Sequence, residues 1–225
     1  MKRRILQLNI LLTVLTVILC LFYGLRGGLQ LKSLTCSGFA LLGIVNLWFC
    51  TRARCPALRF PVLLTLGLLV CMAGDIALNL HFLAGAAIFA SGHILYLAAY
   101  GVLDPFHPRD LLPALGIFGC CAALILLTPL FDFGDPLIRW VCLLYALIIS
   151  CMLSKAIANY YRTPNRVTGI LLLGSSLFFF SDVMLCLDFF SNASDITGYL
   201  CLFTYFPGQG ILAHAGYHNI NRRTL

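Results

Sequence analysis

The chain has 225 residues, of which 61% are hydrophobic and only 10% charged, and its mean hydropathy is +0.96. A soluble domain carries roughly 25% charged residues, so this composition excludes an ordinary soluble fold, a disordered chain, a coiled coil and a disulfide-stapled secreted module. All eight acidic residues are aspartates, and fifteen Lys and Arg give a net charge of +7. These basic residues lie in short connectors between apolar runs, which indicates orientation in a membrane rather than nucleic-acid binding.

Apolar runs of about 20 residues, long enough to cross the hydrocarbon core of a bilayer, occur eight times. The predicted spans cover residues 5–24, 31–50, 58–79, 83–102, 111–130, 136–154, 167–188 and 196–217. The first run is too long for a signal peptide and has no cleavage site after it, so we expect a retained helix. The sequence predicts an all-α, polytopic membrane bundle of eight transmembrane helices, forming one integral-membrane domain over residues 1–225. A weak four-helix repeat relates residues 1–110 to residues 111–225.

The distribution of basic residues predicts how the bundle is oriented. An even number of spans puts both termini on one side, and that side holds all of the fifteen basic residues except Arg26, Lys32 and Arg139. The positive-inside rule therefore predicts that both termini are cytosolic. The expected membrane is the plasma membrane in a bacterium or the endoplasmic reticulum in a eukaryote.

Two aspartates lie inside apolar runs, where an ionisable side chain costs several kcal/mol and is a functional candidate by default. Asp75 comes shortly before the end of the third run, and Asp182 has a similar position in the seventh. Both helices run in the same direction, so the two carboxyls are expected at equal depth in the outer half of the membrane. Asn79 follows Asp75 by four residues and shares its helix face. Either aspartate alone could instead be a structural carboxyl that ties helices together.

Further polar residues are expected to converge with these aspartates on a pocket that opens toward the outer leaflet. Lys32 opens the second run, as either a snorkelling lysine or a cation that faces the carboxyls. His93 and Tyr96 share one face of the fourth span, although a buried histidine can also be purely structural. Tyr205 and Gln209 share a face of the eighth span.

Cysteine and histidine patterns provide no metal or redox motif. The eleven cysteines lie mostly in apolar runs without a CxxC pair, so they are expected to act as small hydrophobic residues. His214 and His218 have the spacing of a ligand pair, but they lie far in depth from the aspartates. We expect no metal and no organic cofactor.

The same polar residues carry a resemblance to the lysoplasmalogenase family of polytopic membrane proteins, the YhhN-like group. That family has a lysine-proline in span 2, Gly-Asp in span 3, His-x-x-Tyr in span 4, Ser-Asp-x-x-Leu in span 7 and Thr-Tyr-x-x-x-Gln in span 8. The corresponding segments here are Lys32-Ser33, Gly74-Asp75, Phe82-x-x-Gly85-x-x-x-Phe89-x-x-x-His93-x-x-Tyr96, Ser181-Asp182-Val-Met-Leu185 and Thr204-Tyr205-Phe-Pro-Gly-Gln209. The order and spacing are kept over nearly the whole chain, although Ser33 replaces the proline and Pro207-Gly208 interrupts the last motif.

The resemblance implies hydrolysis of the vinyl ether bond of a lysoplasmalogen to a fatty aldehyde and a glycerophosphocholine or glycerophosphoethanolamine. Asp75 and Asp182 would be the catalytic acid and base, in either order. Lys32 would bind the phosphate. The residues that would orient water and the glycerol hydroxyl are His93, Tyr96, Tyr205 and Gln209. The expected partners are this lysophospholipid and the bilayer, with no nucleic acid.

Two other functions remain open from the sequence. An intramembrane aspartyl protease also uses two aspartates on separate helices, but its Tyr-Asp, Gly-x-Gly-Asp and Pro-Ala-Leu motifs do not occur in this sequence. A small proton-coupled transporter or lipid-binding protein could use a protonatable aspartate pair, and the weak repeat and Pro207 in the last span are compatible with it.

Overall fold

The computed structural model describes residues 2–55, 58–192, 194 and 196–221, and nearly all of them are helical. The helices are α1 (Lys2–Arg26), α2 (Leu29–Arg52), α3 (Arg59–Leu80), α4 (Phe82–Leu103), α5 (Leu111–Leu127), α6 (Pro136–Arg162), α7 (Arg166–Phe190) and α8 (Ile196–Asn221). A short 3₁₀ turn, Pro108–Asp110, precedes α5. The predicted spans agree with these helices to within a few residues, except that α6 is longer than predicted.

Within the described residues, α1 to α7 are long and apolar enough to cross a membrane. This confirms the all-helical class and makes the chain a multi-pass membrane protein. α8 does not belong to this group, since residues such as Pro207, Gln209 and His214 make it more polar. An eighth span and cytosolic termini therefore stay predictions, and Arg222 and Arg223, which contribute to the predicted orientation, lie outside the described residues.

The additional two turns of α6 bring Lys155 and Arg162 into an ionic cluster with Asp104 and Asp110. Lys155 and Asp110 are buried, Asp104 is partly buried and Arg162 is exposed. The Lys155 side chain is 1% exposed, and its Nζ donates to the carboxylates of Asp104 and Asp110, each at 3.0 Å, and to the carbonyl of Pro105 at 2.7 Å. Arg162 also donates to both carboxylates. Lys155 is therefore not the connector residue that the sequence predicted, because two carboxylates compensate its charge inside the fold.

The charges of this cluster are stabilised at neutral pH. Burial alone would raise the pKa of Asp104, but hydrogen bonds from Arg162 and Lys155 outweigh that effect and hold the pKa below its usual range. Asp104 is therefore ionised at neutral pH, and the ends of α4 and α6 are joined by charge-assisted hydrogen bonds.

Small residues bring neighbouring helices into close contact. On α3 and α4, a Cβ added at Gly74 would lie 2.9 Å from the ring of Phe89, and one added at Gly85 would overlap the backbone of Leu78. On α7 and α8, a Cβ added at Gly208 would lie 3.2 Å from the carbonyl oxygen of Gly174. Such contacts let helix backbones approach each other closely, which is how helices associate within lipid. They fix α3 against α4 and α7 against α8.

Polar side chains join α1, α2 and α8. Asn9 and Asn46 exchange two hydrogen bonds, at 2.9 and 3.0 Å, and Asn46 also donates to the carbonyl of Ala213. Nε2 of His214 lies 2.8 Å from the hydroxyl of Thr13. His214 thus has a helix-to-helix partner, which gives it a packing role.

Candidate functional site

Asp75 is the centre of the first polar cluster, where α2, α3 and α8 meet. Asp75 is 3% exposed, and Nζ of Lys32 lies 3.6 Å from Oδ1 of Asp75. The thiol of Cys36, one turn after Lys32 on α2, contacts Oδ2 at 3.1 Å. The hydroxyl of Tyr205 donates to the same oxygen. A cation and two donors thus satisfy this buried carboxyl, and Lys32 adopts the carboxyl-facing arrangement of the two that the sequence left open.

Asp182 is the centre of the second cluster, formed by α4, α6 and α7. The hydroxyl of Tyr145 on α6 donates to Oδ2 at 2.7 Å. Nε2 of His93 on α4 lies 2.7 Å from the Tyr145 oxygen and 3.3 Å from Oδ2. The His93 side chain is fully buried, whereas that of Asp182 is 10% exposed. Three helices therefore converge on this carboxyl.

The geometry assigns a direction to the hydrogen bonds of the second cluster. Tyr145 has one proton, which it donates to Oδ2 of Asp182. Nε2 of a neutral His93 must then carry the ring proton and donate to the Tyr145 oxygen. Nδ1 of His93 is left as an acceptor, and it has no hydrogen-bond partner among the described residues. His93, Tyr145 and Asp182 thus form a continuous chain along which a proton can be relayed.

Aromatic rings connect the two clusters. The ring of Phe178 lies 4.7 Å from that of His93 and 5.2 Å from that of Tyr205, measured between centroids. Phe89 packs on the same rings, 6.3 Å from Phe178 and 6.0 Å from Tyr205. Each carboxyl has its own donors, and the contacts between the clusters pass through apolar rings. The two aspartates are therefore neighbours across an aromatic layer rather than a hydrogen-bonded pair.

The remaining predicted residues occupy other positions. The hydroxyl of Tyr96 donates to Oε1 of Gln209 at 2.7 Å, linking α4 to α8 in the core. Nε2 of Gln209 is buried without a hydrogen-bond partner in the described part of the chain. Nδ2 of Asn79 donates to the backbone carbonyl of Asp75 at 2.6 Å, so its amide is engaged by its own helix rather than by a carboxylate.

A cavity of about 100 Å³ adjoins the second cluster. Its wall is made by apolar residues of α3 to α7 together with Asp182, Tyr145 and the cysteines Cys121, Cys142 and Cys186. The sequence predicted a polar pocket, whereas the space beside the aspartate is lined almost entirely by hydrocarbon. Among the described residues, no group of three or more His, Cys, Asp or Glu side chains could hold a metal ion.

Two contacts of the carboxyls involve residues that the sequence analysis missed. Tyr145 lies in the middle of an apolar span, and a phenol at that depth is itself a signal, because its hydroxyl needs a partner. Cys36 has no comparable signal, since a cysteine in an apolar helix is an ordinary small hydrophobic residue.

These features define a multi-pass helical membrane protein with two buried aspartate clusters. A comparison with protein-family models matches the YhhN family over residues 35–216. The match covers more than half of the chain, and the chain therefore belongs to the YhhN family. No curated protein and no solved structure shows a significant match.

Proposed function

We propose that this protein hydrolyses the vinyl ether bond of a lysoplasmalogen within the membrane. The observation that carries the proposal is the pair of carboxyls, buried Asp75 and partly buried Asp182, each held by a tyrosine hydroxyl in a YhhN-family bundle. Vinyl ether hydrolysis needs a proton donor and a group that activates water. Two aspartates in unlike surroundings can divide these tasks, as the two carboxyls of glycosidases do.

The proposed hydrolysis has three steps. A carboxylic acid transfers its proton to the alkenyl carbon remote from oxygen, and the double bond becomes an oxocarbenium ion. Water adds to that ion and gives up a proton to a carboxylate, which leaves a hemiacetal. The hemiacetal then breaks its bond to the glycerol oxygen, which takes a proton, and releases the fatty aldehyde. One water molecule is consumed, and the protons return to the protein.

The surroundings of the two carboxyls differ, and each supports a different part of the reaction. Lys32, beside Asp75, is 12% exposed and supplies a positive charge for the phosphate of the head group. His93 and Tyr145 supply donors that orient Asp182 and stabilise its carboxylate after proton transfer. Every step uses groups of this chain and water.

The test is release of aldehyde from a 1-alkenyl lysophospholipid by the purified protein in lipid nanodiscs. Asp75→Asn and Asp182→Asn keep the shape of each side chain but remove the acid, so each should abolish turnover. Asp132→Asn, in the connector between α5 and α6, is the matched control and should leave turnover unchanged. Thermal melting of each variant checks that the fold is retained.

The proposal also predicts how the wild-type protein behaves. Aldehyde must be formed without any ion gradient, because hydrolysis needs only substrate and water. Absence of turnover on choline and ethanolamine vinyl ethers by folded protein would contradict it. Gradient-dependent movement of intact lipid in proteoliposomes would then identify a transporter.

A further inference from the structure

The cavity beside Asp182 is built from apolar walls with one polar edge. Side chains of Phe82, Phe89, Ile125, Ala146, Ile149 and Phe179 contribute to the hydrocarbon part of the wall. Apart from three cysteines, the lining residues that carry a polar side-chain group are Asp182 and Tyr145. Apolar cavities of comparable size bind small hydrocarbon molecules. The wall therefore matches a ligand that is hydrocarbon along its length and polar at one end.

The size and position of the cavity define the kind of chain that fits. Its volume of about 100 Å³ is well below that of a pocket that encloses a whole small molecule, roughly 300–1,000 Å³. It can hold only part of one chain. The backbone of α5 approaches only α6 and the 3₁₀ turn within the described residues, and Leu124 at the rim is 45% exposed. The remainder of a long chain can therefore leave beside α5 into the bilayer.

We propose that this cavity binds the alkenyl chain of a single-chain ether lipid, with the oxygen-bearing end of the chain against Asp182 and Tyr145. This inference rests on the proposed function and extends it, because it makes Asp182, and not Asp75, the carboxyl that meets the reacting carbon. The Asp182 O–H bond breaks as a C–H bond forms at the alkenyl carbon remote from oxygen. The carboxylate left behind accepts the hydrogen bond of Tyr145. The proton of the added water goes to the second carboxylate, and Asp182 regains a proton from the hemiacetal hydroxyl when the aldehyde is released.

The alternative position for the chain is beside Asp75, and the surroundings of that residue disfavour it. Lys32 lies 3.6 Å from Asp75, and the hydroxyl of Tyr205 and the thiol of Cys36 occupy Oδ2. A cation with a hydrocarbon chain laid against it would be poorly solvated. An anionic head group is the better ligand for that cluster.

The experiment uses a saturated alkyl-ether lysophosphatidylcholine that carries a photoreactive diazirine in its chain. This probe has no vinyl bond, so its binding is independent of hydrolysis. After irradiation in nanodiscs, mass spectrometry identifies the labelled peptides. Cys121 lines the cavity, and the neighbouring Cys120 is exposed on the same helix. Cys121→Phe fills the cavity, and Cys120→Phe adds the same ring outside it as the matched control.

The wild type and Cys120→Phe should be labelled on the cavity-facing segments of α5 and α7, and Cys121→Phe should lose this labelling. An unlabelled alkyl-ether lysophosphatidylcholine in excess should compete for this labelling. Undiminished labelling in folded Cys121→Phe, or labelling spread evenly over the exposed face of α1, would overturn the assignment. If Cys121→Phe does not fold, Cys121→Leu provides the smaller filling change.

A turnover assay on the same variants tests two proposals separately: the chain site, which is the cavity beside Asp182 as the binding site of the alkenyl chain, and the hydrolysis itself. Labelling of the cavity in a protein that releases no aldehyde would support the chain site while the proposed reaction fails. Wild-type aldehyde release by folded Cys121→Phe would overturn the chain site while the reaction stands.

Discussion

The hydroxyl of Tyr145 on α6 donates a 2.7 Å hydrogen bond to Oδ2 of Asp182 on α7, and the same oxygen of Tyr145 lies 2.7 Å from Nε2 of His93 on α4. A tyrosine that both donates and accepts in this way fixes the orientation of the carboxyl and connects it to a second titratable group. The properties of Asp182 therefore depend on three helices rather than on α7 alone.

Tyr145→Phe removes the donor while keeping the ring, and it should slow aldehyde release. A hydrogen bond to a charged group contributes roughly 1.5–3 kcal/mol, which corresponds to a rate roughly 10- to 100-fold lower. The rate constant kcat should fall more than KM changes, because the bond acts on the carboxylate that forms during proton transfer. Tyr161→Phe, on the exposed end of the same helix, is the control and should match the wild type. A Tyr145→Phe protein with unchanged kcat would contradict the positioning role.

Lys32→Met should weaken binding of phosphate-containing substrates. Loss of a charge-assisted hydrogen bond to the phosphate should raise KM roughly tenfold. A 1-alkenylglycerol has no phosphate, so its KM should be the same for the variant and the wild type. Arg26→Met, at the exposed end of α1, is the control for general charge effects. An equal rise in KM with both substrates would mean that Lys32 acts only through Asp75.

Lys155→Met should destabilise the fold strongly. The substitution leaves buried Asp110 and partly buried Asp104 with only Arg162 to compensate them, and removing one member of a buried ionic group costs about 3–5 kcal/mol. The free energy of unfolding in mixed micelles measures the effect. Arg109→Gln changes an exposed basic residue of the adjacent 3₁₀ turn, and it should be close to neutral. If both substitutions had small effects, the ionic cluster would not contribute to stability.

The amide pair of Asn9 and Asn46 should show coupled stability effects. Either single change to Leu leaves the other amide without its partner and should cost about 0.6–2 kcal/mol, the range for polar contacts between membrane helices. The double change removes both polar groups together and should cost less than the two single changes combined. A double-mutant cycle from unfolding measurements tests this, and strictly additive effects would contradict the pairing.

The number and order of the helices follow from hydropathy, but their ends do not. The predicted sixth span stops at residue 154 because Lys155 is charged, whereas α6 continues to Arg162. No local pattern reveals that Asp104 and Asp110, about 50 and 45 residues away, lie close enough to compensate that charge. The extension depends on tertiary contacts, so one sequence read along its length could not predict it.

The candidate site was predictable to a similar extent. The proximity of Lys32 to Asp75 follows from the position of each residue in its apolar run. The separation of Asp75 from Asp182 by aromatic rings does not, because it depends on where Phe178 and Phe89 point. Tyr145 acquires its importance only from the packing of α6 beside α7.

The close contact between Gly174 and Gly208 has a consequence for motion. Backbones that touch without intervening side chains cannot slide past each other without losing packing along both helices. α7 and α8 should therefore move as one rigid pair, carrying Asp182 and Tyr205 together. α5, whose backbone approaches only α6 and the 3₁₀ turn in the described residues, has far fewer restraints. Lipid entry and product release would then depend on displacement of α5. The geometry at both aspartates would stay undisturbed during turnover.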